Sequence, residues 1–215
     1  MAKRRRVSKK KVSTFIFMLI IIIAAIIGAI FYIDNNEKEK PIKIKSVDKI
    51  EGYDYTLSSN ATKYYKSLFK ELKEVLEDDE VDEAKYADLV AKLFVADFYN
   101  LDNKINKNDI GGVQFVYKDF RDDFKKIAAD SIYKNVLDNT YGDRKEALPV
   151  VTNVSTEKKD NSVFKYGENS DEKAYNVGFE ITYKEDDGYQ KEGNIILIHN
   201  DKKLEIAALE ESSGN

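Results

Sequence analysis

The chain has 215 residues, with 35 Lys and Arg against 39 Asp and Glu, and it contains neither Cys nor Trp. The absence of Cys excludes disulfides and metal sites built on thiolates. Seven basic and no acidic residues lie in the first 33 positions, which leaves 28 basic against 39 acidic residues, a net charge of −11, for the remainder. That charge disfavours nucleic acid as a partner of the remainder. The abundance of Lys, Asn, Ile, Asp and Tyr is typical of an AT-rich bacterium.

The first predicted element is an apolar stretch of twenty residues from Thr14 to Ile33, which includes Phe15 and carries no charge. A helix of this length crosses the hydrocarbon core of a bilayer. The preceding segment is strongly basic, with Lys3, Arg4, Arg5, Arg6, Lys9, Lys10 and Lys11. The positive-inside rule therefore predicts a cytoplasmic tail at 1–13, a single span at 14–33 and a C-terminal part outside the cytoplasm of a bacterial cell.

A cleaved signal peptide is the alternative to this membrane anchor. Its apolar core would be shorter and would end in small residues at the cleavage site. Here the apolar run continues through Phe31, Tyr32 and Ile33 to Asp34, which favours an uncleaved anchor with membrane lipid as its partner. The basic tail also has a composition that binds anionic lipid or nucleic acid, but a topology signal is the simpler interpretation.

Three helical regions are predicted after the span. Residues 34–56 are a spacer, in which Ile42 and Ile44 alternate with Lys and favour a short strand. Apolar residues at steps of three and four predict amphipathic helices over about 60–77, capped by the segment SSN, and then from a cap at Asp79 or Asp82 to Asn100. The same spacing predicts a third region from about Val113 to Leu137, with room for a bend.

Beyond Pro149 the apolar period changes from 3.6 to 2, which indicates strands. VVTNVST is one strand, the alternation over 174–183 is a second, and GNIILIHN returns after the turn at Asp187-Gly188. A last strand contains Leu204, Ile206 and Ala208, and 211–215 is a disordered tail. The sequence thus predicts an α+β domain over 57–210, with two to three helices packed on a curved antiparallel sheet of three to four strands.

This order of elements resembles the nuclear-transport-factor-2-like cone fold. The segments that carry the resemblance are KYYKSLFKELKEVL, DLVAKLFVADFYNL, AYNVGFEITY and GNIILIHN. With the basic tail and single span, the chain is similar to the bitopic assembly subunits of type IV secretion and conjugation machines. The resemblance implies a cone-shaped domain outside the cytoplasm that assembles with other envelope components. A shared fold does not fix function.

Asp97 is the polar residue of greatest interest, because it lies within the apolar stripe of the second helix. A buried carboxylate must be paired, protonated or near an opening. Asp97 is therefore either a residue of a ligand pocket, together with Tyr175 and Tyr183 on core-facing stripes, or a structural residue that caps a loop or pairs with Lys or Arg. Tyr and Phe that simply fill the core are the alternative account of the two tyrosines.

Other candidate motifs point to no chemistry. His199 is the single histidine, which rules out a site of several His and leaves a residue at the rim. A calcium loop starting at Asp102 fails because Lys104 and Lys107 take the third and sixth positions. Arg144 lies in a polar loop that is solvated or contacts a partner. No cofactor, metal or catalytic constellation is indicated.

Three functions remain open at this stage, and one of them is a sensor or regulator whose short basic tail contacts cytoplasmic partners. The first is a non-enzymatic, membrane-anchored interaction or scaffold domain that binds a protein partner or itself, such as a component of a conjugation or secretion assembly. The alternative is a cone-fold domain that binds or converts a small ligand in a pocket near Asp97. An open apolar pocket containing Asp97 would favour the alternative, and a filled cone with an exposed apolar patch would favour the scaffold.

Overall fold

The computed structural model describes residues 41–159, 161–186 and 188–211. Within them, three α-helices pack with a five-stranded antiparallel sheet in an α+β fold. No helix in this part of the chain is long and apolar enough to cross a membrane. The predicted basic tail and the predicted span, with Thr14, Phe15 and Ile33, lie outside the described residues.

The elements are numbered in chain order. The helices are α1 (Lys63–Leu76), α2 (Glu83–Phe98) and α3 (Arg121–Asp130), with short 3-10 helices at Val113–Phe115 and Lys118–Phe120 before α3. The strands are β1 (Ser46–Ile50), β2 (Tyr55–Ser58), β3 (Val151–Lys158), β4 (Ser162–Tyr166), β5 (Asn169–Tyr183), β6 (Glu192–Asn200) and β7 (Lys203–Glu211). Residues 212–215 of the predicted tail lie outside the described part.

The first two helices form as their apolar spacing predicts. Helix α2 packs against α1 and also contacts β3, β5 and β7, so it lies at the centre of the main core. Asp82 caps α2, as predicted, by accepting a hydrogen bond from the backbone N–H of Lys85 at 3.0 Å. The cap of α1 is Thr62, whose hydroxyl accepts from Tyr65 N, and not the earlier SSN cluster.

The third helical region is much shorter than its sequence pattern suggests. The chain makes two 3-10 turns before α3, and α3 has only ten residues. Val116, included in the predicted helical face, instead forms a parallel bridge with Ile206 of β7. Ile127 is exposed, so the apolar stripe of α3 is not fully covered by its own chain.

The main sheet has the order β3-β5-β6-β7, with β4 paired to β5 beyond the end of β3. The prediction of three to four strands is therefore one strand short. The missing strand is β4, which forms a hairpin with the first residues of β5 through a turn at Gly167. Strand β5 has 15 residues because it pairs with β3, β4 and β6.

A separate hairpin, β1–β2, begins within the range 34–56 that the pattern assigns to the spacer and ends two residues beyond it, at Ser58. Its residues Ile50 and Tyr55 are fully buried in the main core. The alternation at Ile42 and Ile44 does not produce a strand, since β1 begins only at Ser46.

The two edges of the main sheet differ. Along β3, side chains from α1 and from the segment after α2 bind backbone groups that would otherwise face a neighbouring strand. The hydroxyl of Tyr64 accepts from Val154 N at 2.8 Å and donates to Val154 O, and Asn100 Oδ1 accepts from Val151 N at 2.9 Å. Strand β7 ends the sheet on the other side, where Tyr117 N donates to Ile206 O at 2.8 Å. Beyond Ile206, no described strand pairs with the outer side of β7.

Candidate functional site

A groove of about 380 Å³ lies between α3, the C-terminal half of α2 and strand β7. Among the described residues that line it, only Asp123 and Ser131 have polar side chains. The apolar lining includes Phe94, Phe98, Phe124, Ile127, Ile206 and Leu209. Apolar surface left open to water in this way costs free energy and commonly marks a binding site.

Three phenylalanine rings form the floor of this groove. Phe94 and Phe98 lie four residues apart on one face of α2, and their ring centroids are 5.4 Å apart. Phe124 of α3 packs on both of them, with centroid distances of 5.8 and 5.1 Å. These contacts hold α3 on α2 while the next turn of α3 leaves Ile127 at the rim, with 67% of its surface exposed.

A buried ion pair sets the position of α3 relative to β7. Glu205 of β7 is almost fully buried and accepts a hydrogen bond from Arg121 Nη2 at 3.1 Å and another from Asn200 Nδ2 at 2.7 Å. Arg121, the first residue of α3, also donates from Nε to Val116 O at 2.8 Å. One wall of the groove is thus tied to the other, which means that the groove is formed before anything binds.

The chemistry of the groove suits binding. Ser131 Oγ already donates to the carbonyl of Ile127 at 2.7 Å, and Asp123 has no acid or base partner in the lining. A nucleophile would need an adjacent base within hydrogen-bond reach, which this lining does not offer. Among the described residues, no group of His, Asp and Glu is arranged to hold a metal ion.

Asp97 lies outside the groove, in a separate depression of about 180 Å³ beside the turn at Gly111-Gly112. Its Oδ1 pairs with the ammonium of Lys104, and its Oδ2 accepts from Gly112 N at 2.7 Å. The side chain of Lys104 is 5% exposed and that of Asp97 is 26% exposed. The carboxylate therefore fixes the turn that leads to Val116 and the groove wall, which is the pairing role that the sequence analysis weighed against a ligand pocket.

Tyr175 and Tyr183 do not line the depression that holds Asp97. Tyr175 lies 5.8 Å from the ring of His199, and Tyr183 donates its hydroxyl to Gln190 O at 2.8 Å near the β5–β6 connection. Burial, followed by the charge of Glu83, raises the pKa of Tyr175, and burial raises that of Tyr183. The structure therefore does not bring the three predicted pocket residues together.

His199 has two carboxylate partners that the sequence did not reveal. Its Nδ1 lies 2.7 Å from Asp171 Oδ2, and its Nε2 contacts Glu83 at the start of α2. Burial lowers the pKa of His199, but the hydrogen bonds and charges of Glu83 and Asp171 outweigh it and raise the pKa overall. Because both ring nitrogens are engaged, His199 joins α2 to the sheet and is not available as a general base.

The relative positions of these groups follow from α2. Glu83, the partner of His199, begins the helix, and Asp97 lies fourteen residues later, which is a rise of about 21 Å. The histidine cluster and the Asp97 depression are therefore at opposite ends of one helix. The groove lies near the second end, where Phe94 and Phe98 face α3.

Comparisons with known proteins add no assignment to this geometry: no protein-family model, no curated protein and no solved structure matches the chain. The resemblance to cone-fold assembly subunits, which rests on the order of elements, therefore stays a prediction.

Proposed function

We propose that the chain is a single-pass protein of a bacterial cell membrane, and that its α+β domain lies outside the cytoplasm and binds another protein of the cell envelope. In this proposal the basic residues before Thr14 keep the N-terminus cytoplasmic, and the stretch from Thr14 to Ile33 is the anchor. The apolar groove under α3 carries the proposal, because its lining is suited to binding and offers no catalytic group.

The occupant that fits this groove is an extended protein segment. The groove continues along Ala207, Ala208 and Leu209 of β7, whose outer side has no described strand partner. A peptide that pairs with this edge would gain backbone hydrogen bonds while alternate side chains enter the groove. Asp123 at the groove and the net charge of −11 beyond position 33 favour a segment that places Lys or Arg beside its apolar residues.

In its more specific form, the proposal is that the chain is an assembly subunit of a type IV secretion or conjugation machine. The support is the combination of a basic tail, one apolar stretch and a domain in which helices precede an antiparallel meander. The domain would act as a scaffold: the anchor holds it at the membrane, and the groove recruits the partner segment.

The test places a photoreactive amino acid, p-benzoyl-phenylalanine, at Ile127 in the full-length protein in its native membrane. We expect an adduct with one defined envelope protein, because Ile127 projects from the rim of the groove. The matched control places the same group at Val163 on β4, which is 55% exposed against 67% for Ile127. Absence of an adduct at Ile127, or the same adducts from both positions, would count against the proposal.

A second candidate function is the binding of an apolar small molecule in the same groove. The observation that favours it is the volume of about 380 Å³, which falls in the range of small-ligand sites. Native mass spectrometry of the purified chain would then show a bound mass, and Ala208→Phe would remove it by filling the groove. Cross-linking to a protein without such a mass would support the first function.

A further inference from the structure

Exposed apolar side chains gather where the chain enters the described domain. Ile42, Leu137 and Tyr141 are all exposed. Ile42 N donates to the carbonyl of Thr140 at 2.7 Å, and Ile42 Cδ1 lies 3.7 Å from the position that a Cβ would take on Gly142. The entering segment and the loop 137–142 therefore share one surface, which we call the entry face.

The loop of the entry face is held in place by Arg144. Its guanidinium donates to three backbone carbonyls: Lys104 O at 2.9 Å, Asp102 O at 2.6 Å and Leu137 O at 3.3 Å. Asn139 N also donates to Ile105 O at 2.7 Å. The loop is thus fastened to the segment that follows α2, and Leu137 and Tyr141 are displayed to solvent by an ordered backbone.

We propose that the entry face lies on the membrane surface, with Ile42, Leu137 and Tyr141 in the interfacial zone of the lipid. The inference rests on the anchor in the proposed function. Only seven residues, 34–40, separate the apolar stretch from Pro41. Fully extended, they reach at most about 25 Å, so the point of entry into the domain is tethered close to the bilayer. Tyrosine favours the interface, where its ring meets lipid and its hydroxyl meets water.

Charge identifies the kind of lipid contact. Lys43 and Lys45 flank the exposed Ile44 on the entering segment, while Asp138 lies in the loop and Asp143 directly follows it, and all four charged residues are exposed. With both signs present, attraction to anionic headgroups supplies little of the contact free energy. The entry face is therefore an apolar contact that persists on zwitterionic lipid and at high salt.

The chain contains no Trp, so a single introduced Trp reports its own surroundings. Leu137→Trp and Tyr141→Trp are made in the full-length protein and reconstituted in phosphatidylcholine vesicles, with and without bromine high on the acyl chains. Val163→Trp is the control. Val163 lies in the β4–β5 hairpin, near Asp171. Asp171 and Glu83 both contact His199, which places this hairpin near the start of α2, whereas the entry face lies near the end of α2. Phe15→Trp tests the anchor itself.

We expect bromine to cause a loss of Trp fluorescence at positions 137, 141 and 15, and none at 163, with no change when salt is added. Quenching at 15 without quenching at 137 and 141 would overturn the inference and leave the anchor intact. A blue-shifted but unquenched Trp at 141 would also overturn it, because protein, such as a second copy, would then cover the face. No quenching at 15 would refute the membrane anchoring in the proposed function.

Discussion

Replacing Asp97 with Asn is the perturbation that best separates the structural role of this residue from a catalytic one. The substitution keeps one oxygen that can accept from Gly112 N, and it replaces the charged acceptor opposite Lys104 with a neutral NH2 group. The ammonium of Lys104, 5% exposed, then has no ion-pair partner among the described residues. Removing one partner of a buried pair costs about 3–5 kcal/mol, and we expect about 3 kcal/mol because Asp97 is partly open to water.

The reverse substitution, Lys104→Met, has a smaller expected cost. Asp97 keeps the hydrogen bond from Gly112 N and is 26% exposed, so its charge remains partly solvated. We expect a loss of about 1–2 kcal/mol for this change. In the double variant no buried charge is left unpaired, so the two effects should couple by about 2 kcal/mol.

The assay is urea unfolding of the full-length protein in detergent, followed by far-ultraviolet circular dichroism. Cross-linking from Ile127 in the folded Asp97→Asn variant should match that of the parent, since Asp97 lies outside the groove. Equal and additive losses from the two single variants would refute the reasoning about the pair. Loss of cross-linking at unchanged stability would mean that Asp97 takes part in binding the partner.

Three further predictions concern stability. Because the pKa of His199 is raised in the folded state, its protonation stabilises the fold below the unfolded-state pKa of 6.5, and this stabilisation is lost as the pH rises through the higher folded-state pKa. His199→Gln should therefore lower the urea midpoint more near pH 5 than near pH 8. Tyr86→Phe removes the hydroxyl that joins Tyr55 OH and Leu204 N, and calorimetry should show a loss of about 1–3 kcal/mol. Gly112→Ala should cost more than about 1 kcal/mol in urea, because φ is +74° and the new Cβ would meet Phe94, while Gly167→Ala, with open space around it, should cost less.

Helices α1 and α2 and strands β5 and β7 are readable from the sequence because each carries a periodic apolar face. Strand β6 is readable from its continuous apolar run, Ile195–Ile198, and β3 from its β-branched residues after Pro149. The prediction of a long third helix was wrong, because Val116 has helical spacing in the sequence but forms a bridge to β7 in the structure. Tertiary contacts decide whether such an apolar residue lies on a helical face or pairs with a strand. Strand β4 is too short to show a periodic pattern: it has five residues, of which Phe164 and Tyr166 pack on a small second cluster while Val163 is exposed.

The candidate sites show the same limit. Asp97 stood out because a carboxylate within an apolar stripe needs a partner, and this local argument allowed a Lys or Arg partner without naming it. The partner, Lys104, lies in a loop whose path no periodicity defines. The carboxylates around His199 come from α2 and β5, so their meeting depends on the packing of helix on sheet. The sequence feature that relates to the groove is the apolar spacing of α3. That the rest of the chain leaves Ile127 exposed is seen only in the structure.

The unequal edges of the main sheet limit how this domain could aggregate. Tyr64 and Asn100 occupy outer backbone groups of β3 at Val154 and Val151, so these groups are not available to a neighbouring strand. Growth of a continuous sheet from copy to copy needs two open edges on every copy. Two copies that pair through β7 close this edge in both, and a strand from a partner that occupies β7 prevents that pairing. A partner segment bound along β7 would therefore also protect the domain from pairing with other copies through this edge.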